Sequence, residues 1–332
     1  MSLSRAYIGL GSNIGDRVTH LKEALRRFEA ANAGVITQCS PIYKNRAIGI
    51  EGGSDFCNAV IEVLTPLSPQ ALLGGCQTIE KAMGRVRHTV WTNRTIDLDI
   101  LNYEDTQLRE SQLCLPHPRI LERDFVLVPL ASLAPDLIIE GQSLDRAVAT
   151  MDCSELELLP ERLWPLKSIN QIVAQSARRV IGKSGKLPWS ISEDWAIFLR
   201  KTRGGVLIMG RLSFEEMLKE PDWADNRSYV VISQNAEYDL GTAVETASSF
   251  EEGLNLAKAQ RKAIWICGGT AVYEASLPHT ETLHLTRIDA DFEGDTYFPE
   301  CEAIFTNCLS KIDSNSEAIR YSFELWEKNT SA

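Results

Sequence analysis

The sequence lacks several features that assign a chain to a broad class. Its eight cysteines are scattered along 332 residues without a C-x-x-C pair, which indicates free thiols in a reducing compartment. Its start has no apolar stretch typical of a signal peptide. Its most apolar run, residues 125–137, is broken by prolines and is shorter than the roughly 20 residues of a membrane span. We therefore expect a cytoplasmic protein that does not associate with membranes.

An excess of positive charge is also missing. The chain has 34 Lys and Arg residues against 45 Asp and Glu residues, for a net charge of −11. A general nucleic-acid-binding protein carries a basic surface, so we expect no nucleic-acid partner. Small anionic ligands need only a local cluster of basic residues and remain compatible with this balance. The length predicts two domains.

The first half of the chain alternates strand and helix patterns. Asp16 is placed to cap a first helix, and residues 69–83 have the spacing of a second. The strand-like segments are residues 6–10, 59–63 and 95–101. This order predicts an α+β sandwich.

The second half begins after a polar, proline-containing junction at residues 151–166. Continuous apolar strands between helices predict an α/β domain whose sheet is covered on both faces. These strands are residues 206–208, 229–232 and 264–266. We place the domains at residues 1–155 and 167–332, with a linker over residues 156–166.

The clearest chemical motif is Arg94-Thr95-Ile96-Asp97-Leu98-Asp99-Ile100-Leu101. Residues two apart in a strand point the same way, so Asp97 and Asp99 share one face. Two adjacent carboxylates repel each other, and Mg²⁺ would relieve that repulsion together with substrate phosphate oxygens. The alternative is an ordinary solvated strand face. Nearby arginines and a histidine favour phosphoryl transfer, in which the protein positions groups and neutralises charge.

Four ordered motifs resemble the 6-hydroxymethyl-7,8-dihydropterin pyrophosphokinase family. They are Gly-Leu-Gly-Ser-Asn-Ile-Gly-Asp at 9–16, the run at 94–101, Leu-Pro-His-Pro-Arg at 115–119 and Arg-Asp-Phe-Val-Leu at 123–127. Alone, the glycine-rich run indicates only a strand-to-helix turn. The resemblance covers about residues 5–140. It implies a ferredoxin-like fold and transfer of pyrophosphate from ATP to the pterin's hydroxymethyl oxygen, with release of AMP.

The resemblance also implies residue roles. Asp97 and Asp99 would hold two Mg²⁺ ions and, with Arg85 and Arg94, form the catalytic group. The implied ATP-binding residues are Gln77, Trp91, His117, Arg119 and Arg123, and the implied pterin-binding residues are Asn45, Phe56, Asn58 and Phe125. By itself, His117 is equally compatible with a structural role.

Asp194 is the main chemical candidate of the second half. It lies in the first turn of a predicted helix with Ser192 as its cap, four residues before Phe198 on the same face. A carboxyl group beside an aromatic ring on a half-buried face has a raised pKa, which suits proton exchange with a ring nitrogen. The alternative is an acidic residue placed there by the helix dipole.

Two strand-to-helix turns, at residues 206–213 and 264–270, are candidate sites for the two ends of a dinucleotide. Gly268 and Gly269 permit close approach of a ligand to the backbone. The alternative is that both are ordinary turns.

Together these segments resemble dihydrofolate reductase over about residues 168–300. The matching segments include Leu187-Pro188-Trp189, Glu193-Asp194, Met209-Gly210-Arg211, Cys267-Gly268-Gly269 and Glu293-Gly294-Asp295-Thr296-Tyr297-Phe298-Pro299. The resemblance implies a central mixed sheet flanked by helices and NADPH-dependent reduction of dihydrofolate, with Asp194 as the catalytic carboxyl group. The implied folate-binding residues are Ile172, Val173, Trp189, Asp194, Phe198, Arg227, Cys267, Tyr273 and Thr286. The implied NADPH-binding residues are Ala174, Ile181, Gly210, Arg211, Leu212, Ser213, Ser233, Gly268, Gly269, Thr270 and Val272.

The sequence thus predicts a bifunctional folate enzyme that uses small-molecule substrates. Two alternatives keep the kinase. In one, the second domain reduces an unconjugated dihydropterin, although Arg227 is then left without a glutamate tail to bind. In the other, the second domain is a silent pterin- or nucleotide-binding module, which an intact Asp194 disfavours.

Overall fold

The computed structural model describes residues 3–46, 54–85, 94–220, 223, 226–234, 244–315 and 319–328. The chain forms two compact units, Leu3–Leu166 and Lys167–Ala332. Among the helices of these described ranges, none has the length and apolar character needed to cross a membrane.

The N-terminal unit contains four helices and ten strands within the described residues. The strands are β1 (Ser4–Ser12), β2 (Val35–Cys39), β3 (Tyr43–Asn45), β4 (Phe56–Thr65), β5 (Asp97–Tyr103), β6 (Leu108–Arg109), β7 (Cys114–Leu115), β8 (Ile138–Ile139), β9 (Gln142–Ser143) and β10 (Glu157–Leu158). The helices are α1 (Arg17–Ala30), α2 (Pro69–Ala82), α3 (Asp124–Leu133) and α4 (Leu144–Thr150).

The main sheet of this unit is antiparallel, in the order β10-β3-β4-β1-β5, with β2 also paired to β4. Two strand–helix–strand passages build it, as the ferredoxin-like prediction requires. Asp16 caps α1 as predicted, because its side chain accepts the N–H of Thr19 at 3.1 Å. Leu127 and Leu130 of α3 pack in the core cluster that contains Val60 of β4.

The segment predicted as a linker, residues 156–166, groups with the N-terminal unit, which ends at Leu166. Strand β10 pairs with β3, and Leu163 and Trp164 are buried. The polar composition of this segment did not indicate its short edge strand or its two buried apolar residues.

The C-terminal unit contains four helices and ten strands within the described residues. The strands are β11 (Ile169–Gln175), β12 (Val180–Gly182), β13 (Val206–Gly210), β14 (Ser228–Ile232), β15 (Val244–Ala247), β16 (Ile264–Ile266), β17 (Thr282–Ile288), β18 (Thr296–Tyr297), β19 (Phe305–Ser314) and β20 (Tyr321–Lys328). The helices are α5 (Ser192–Thr202), α6 (Arg211–Met217), α7 (Phe250–Ala259) and α8 (Thr270–Ser276).

Its central sheet has eight strands in the order β15-β14-β13-β16-β11-β17-β20-β19. The first six strands run parallel to one another, and β20 and β19 each pair antiparallel with the strand before them in this order. This confirms the predicted mixed sheet. One local prediction is wrong. Helix α5 has Ile191 as its N-cap, and Ser192 is already the first helical residue.

Candidate active sites

The first site is built on a row of residues across three neighbouring strands. Gly11 of β1 lies opposite Asn58 of β4 on one side and Asp97 of β5 on the other. A Cβ added to Gly11 would lie 3.1 Å from Asn58 Oδ1 and 3.9 Å from both Asp97 Cβ and Phe56 Cδ1. The absence of a side chain at Gly11 therefore gives the predicted pterin and metal residues one continuous surface.

Asp97 is paired with both predicted arginines. Arg85 Nη1 contacts Asp97 Oδ1, and Arg94 Nη1 contacts Asp97 Oδ2. The residues predicted to bind phosphate and metal are thus brought together on β5 and the segments beside it. Trp91, predicted to bind ATP, lies outside the described residues.

Asp99 carries the clearest electrostatic signature of this site. Desolvation of its carboxyl group, and then the negative charges of Asp97 and Glu80, raise its pKa to about 7. The residue as a whole is exposed, so water screens part of this repulsion. A cation at this position would relieve what remains.

Sequence reasoning missed Glu80, a buried carboxylate of α2. Its Oε1 accepts the N–H of Leu98 at 2.8 Å and contacts Arg85 Nη1. It thereby ties α2 and Arg85 to the strand that carries both aspartates. The available signal was its spacing of three residues from Gln77, which puts both on one helix face.

Replacing Glu80 by Gln is expected to destabilise the N-terminal unit by about 1–3 kcal/mol. The amide keeps an oxygen for Leu98 but removes the charge that holds Arg85. Urea unfolding of the full chain, followed by kinase activity, measures this. A matched substitution at the exposed Glu122 is expected to cost little, and equal stability of both variants would contradict the role of Glu80.

Asn13, in the glycine-rich run, fixes two chain segments next to this row. Its side-chain Oδ1 accepts the N–H of Arg94 at 2.7 Å, and its own N–H donates to the Arg94 carbonyl at 3.1 Å. Its Nδ2 also donates to the Ser54 carbonyl at 3.4 Å. The run is therefore more than a turn, because it anchors the backbone of a predicted catalytic arginine.

The predicted pterin residues lie on β3, β4 and α3. Asn58 Nδ2 donates to Asn45 Oδ1 at 2.6 Å, and both asparagines are buried. Phe56 is half-buried at the start of the same strand. Phe125 lies in the first turn of α3, with the Arg123 guanidinium 5.7 Å from its ring centre.

The predicted ATP-binding residues form a basic cluster. His117 Nδ1 accepts the N–H of Arg119 at 3.2 Å. Burial, and then the charges of Arg123 and Arg119, lower the pKa of His117. Burial and Arg119 likewise lower the pKa of Arg123, while Asp99 and Asp97 oppose that shift. Gln77 is half-buried in α2.

The two aspartates fit part of a magnesium site. They supply hard oxygen ligands, and their mutual repulsion favours a cation. In the described ranges, no group of three or more His, Cys, Asp or Glu side chains is arranged to hold a metal alone. The donor set therefore fits an ion that takes its remaining ligands from phosphate and water.

The second site centres on Asp194 of α5 and Thr286 of β17. Thr286 Oγ1 donates to Asp194 Oδ1 at 2.5 Å. Burial of the carboxyl group raises the pKa of Asp194 to about 6; the Thr286 hydrogen bond opposes this shift and the charge of Glu193 adds to it. The residue keeps some exposed surface, as a group that meets a ligand must. The carboxyl group thus titrates near neutral pH.

Several of the residues predicted to bind folate with Asp194 are apolar and buried. Ile172 and Val173 of β11 are 8% and 7% exposed, and Tyr273 Oη donates to the Ile172 carbonyl at 2.8 Å. Trp189 is buried against Phe292, and within the described part of the chain its indole Nε1 has no hydrogen-bond partner. Such a buried donor fits a ligand or an ordered water.

Two other predicted folate residues flank these. Phe198 stacks on Trp195 of the same helix, with ring centres 5.2 Å apart. Cys267 follows β16, and its N–H donates to the Ile208 carbonyl at 2.9 Å.

The predicted dinucleotide turns meet, because β13 and β16 are adjacent parallel strands. The N–H of Gly210 donates to the Gly268 carbonyl at 2.8 Å. A Cβ on Gly210 would lie 3.7 Å from both Gly269 N and Val272 Cγ2, and one on Gly268 would lie 3.4 Å from Ser213 Oγ. The glycines therefore form one backbone cradle at the carboxyl ends of the strands.

The remaining predicted cofactor residues are more dispersed. Arg211 is ion-paired with Glu215 at 2.7 Å, and Leu212 is 63% exposed. Thr270 Oγ1 donates to the Tyr297 carbonyl at 2.6 Å. Ala174 lies beside Thr286 in the sheet, Ile181 lies on β12 and Ser233 follows β14.

Arg227, the predicted glutamate-tail anchor, is 8% exposed. Its Nε donates to Thr202 Oγ1 at 3.0 Å and its Nη2 contacts the Leu199 carbonyl. The guanidinium is therefore held against α5, the helix that carries Asp194.

Comparison with known proteins divides the chain at the same place. A family model described as 7,8-dihydro-6-hydroxymethylpterin-pyrophosphokinase matches residues 7–135, and a dihydrofolate reductase model matches residues 168–328. A 2-amino-4-hydroxy-6-hydroxymethyldihydropteridine pyrophosphokinase from Methylorubrum extorquens is 43% identical over 155 residues, or 47% of this chain and 98% of that relative. The Bacillus subtilis protein of the same name is 42% identical over 140 residues, or 42% of this chain and 84% of that relative.

A solved structure of dihydrofolate reductase from Enterococcus faecalis, complexed with NADP(H) and RAB-propyl, is similar to part of this chain. It is 31% identical, with a TM-score of 0.44, over 48% of this chain and 96% of that one.

Proposed function

The chain belongs to the 7,8-dihydro-6-hydroxymethylpterin-pyrophosphokinase family through residues 7–135 and carries a dihydrofolate reductase domain over residues 168–328, and from this premise we propose how its residues divide the two reactions. It is a bifunctional enzyme of folate biosynthesis. One domain transfers pyrophosphate from ATP to 6-hydroxymethyl-7,8-dihydropterin, and the other reduces 7,8-dihydrofolate with NADPH.

The row Asn58–Gly11–Asp97 carries the kinase proposal. Adjacent strands lie about 4.8 Å apart, so Asn58 and Asp97 are separated by about 10 Å across the Gly11 backbone. That spacing suits a flat pterin read by the asparagine amide, with its hydroxymethyl group directed toward the aspartates. Phe56 and Phe125 supply aromatic faces for its ring, and Asn45 orients the Asn58 amide.

Asp97 and Asp99 hold magnesium in this proposal. Magnesium bound there with ATP would neutralise phosphate charge. Arg85 and Arg94, which contact Asp97 in this structure, would pair with the phosphates. Gln77, His117, Arg119, Arg123 and Trp91 bind the nucleotide.

The Asp194–Thr286 pair carries the reductase proposal. Asp194 accepts hydrogen bonds from the pterin ring and supports protonation of its nitrogen, for which a carboxyl pKa of about 6 is suitable. Trp189 Nε1 donates to an ordered water or to the ligand. NADPH, bound along the Gly210 and Gly268–Gly269 cradle, supplies the hydride.

Substitution of Arg227 tests whether the second domain reduces dihydrofolate or an unconjugated dihydropterin. We expect Arg227→Leu to raise KM for dihydrofolate by about 30-fold, because the substrate's α-carboxylate loses a charged partner worth roughly 2 kcal/mol. KM for an unconjugated dihydropterin is expected to stay unchanged. NADPH oxidation by the purified full chain measures both.

The exposed Arg203, just after α5, provides a matched control. Arg203→Leu is expected to leave both KM values unchanged. Equal losses on both substrates in Arg227→Leu would identify a structural role, and preference of the wild type for the bare pterin would contradict the dihydrofolate assignment.

A further inference from the structure

The first turn of α5 holds two adjacent acidic residues. Hydroxyl groups on three neighbouring strands donate hydrogen bonds to their carboxyl groups. Asp194 accepts from Thr286 of β17. Glu193 Oε2 accepts from Ser314 Oγ of β19 and from Tyr321 Oη of β20, each at 2.7 Å. These strands are adjacent in the order β17-β20-β19.

Ser314 and Tyr321 are both positioned to donate to Glu193 Oε2. They are register partners at the last pair of the β19–β20 hairpin and are 4% and 3% exposed. Two hydroxyl donors on a single carboxylate oxygen fix the position of Glu193. The hairpin end thereby becomes part of the wall beside the reductase site, although no substrate-binding role was predicted for it.

The fixed position places a negative charge next to Asp194 in the chain. A neighbouring negative charge disfavours ionisation of a second carboxyl group. The same effect contributes to the raised pKa of Asp194, after burial.

Hydroxyl groups of Thr286, Ser314 and Tyr321 donate to the two carboxyl groups. The Tyr273 phenol of α8 donates to the Ile172 carbonyl, and burial raises its pKa. The charged residues Lys311 and Asp313 alternate with the buried side of β19 and are exposed, as is Arg320 before β20. Farther along α5, the buried Lys201 lies 2.9 Å from His284 of β17. Glu193 is the charged residue directly adjacent to Asp194.

We propose that Glu193 is a positioning residue of the reductase domain, clamped by Ser314 and Tyr321 so that its negative charge keeps the Asp194 carboxyl group protonated at higher pH. This inference rests on the proposed reductase function of the same site. It assigns a role in the chemistry to a hairpin end about 120 residues away along the chain.

The test is the pH profile of kcat for dihydrofolate reduction by the full chain. If reduction needs protonated Asp194, kcat falls as pH rises through the pKa of that group. Removal of the Glu193 charge makes Asp194 more acidic, so Glu193→Gln is expected to move the midpoint of this fall to lower pH by about 0.5 units. The double variant Ser314→Ala/Tyr321→Phe keeps the Glu193 charge but removes the hydroxyl groups that fix its position. It is expected to move the midpoint to lower pH by a smaller amount.

Glu251→Gln is the matched control, because Glu251 is an exposed acidic residue in the first turn of α7. Its profile is expected to match that of the wild type. An unshifted profile in Glu193→Gln with normal NADPH binding would overturn the inference; if that variant does not fold, an unshifted profile in the hydroxyl variant does so. Lack of dihydrofolate reduction by the wild type would instead overturn the proposed function.

Discussion

Replacing Asp97 by Asn is expected to lower the pyrophosphokinase rate by about 10²- to 10³-fold. The variant loses a metal-binding carboxylate and the partner that holds both Arg85 and Arg94. Reduction of dihydrofolate by the same preparation is expected to be unchanged. AMP formation from ATP and 6-hydroxymethyl-7,8-dihydropterin measures the first rate, and NADPH absorbance measures the second.

Asp105→Asn controls for loss of a charge in this domain, since Asp105 is exposed just beyond β5. It is expected to keep wild-type AMP formation. Full AMP formation by Asp97→Asn would show that this carboxylate binds no catalytic cation.

Replacing Asp194 by Asn is expected to lower dihydrofolate reduction by about 10²- to 10⁴-fold while AMP formation persists. The amide can still accept from Thr286, so the fold of α5 is retained while the titrating group is lost. The wild-type rate is expected to fall as pH rises above the Asp194 pKa of about 6, because the protonated carboxyl is then depleted. In the variant this fall disappears.

Asp313→Asn removes an exposed aspartate from β19 in the same unit. It is expected to keep both the rate and the pH profile. If Asp194→Asn retained the wild-type profile, another group would have to govern the protonation step.

Local patterns were sufficient to predict several of the helices and strands. The alternation around Asp97 and Asp99 predicted a strand over residues 95–101, and the structure places this strand two residues later, over Asp97–Tyr103. The Asp16 cap follows from a similar short-range signal, whereas the mixed sheet was implied by the resemblance to dihydrofolate reductase.

Long-range register was the part that sequence patterns did not contain. That Gly11 lies between Asn58 and Asp97 depends on strand pairings across about 47 and 86 residues. Glu80 was missed because its partner Leu98 is distant in sequence, and Ser314 and Tyr321 because hydroxyls on a hairpin carry no distinguishing motif. The burial of Leu163 and Trp164 was not predicted either, because they lie in a polar segment.

The most direct test of the central claim is to assay both reactions on one preparation of the full wild-type chain. AMP formation with 6-hydroxymethyl-7,8-dihydropterin and NADPH oxidation with dihydrofolate are expected to co-purify. Each is then expected to be lost separately, the first in Asp97→Asn and the second in Asp194→Asn. Absence of either activity from the wild type, or loss of both in one folded variant, would contradict two independent active sites in this chain.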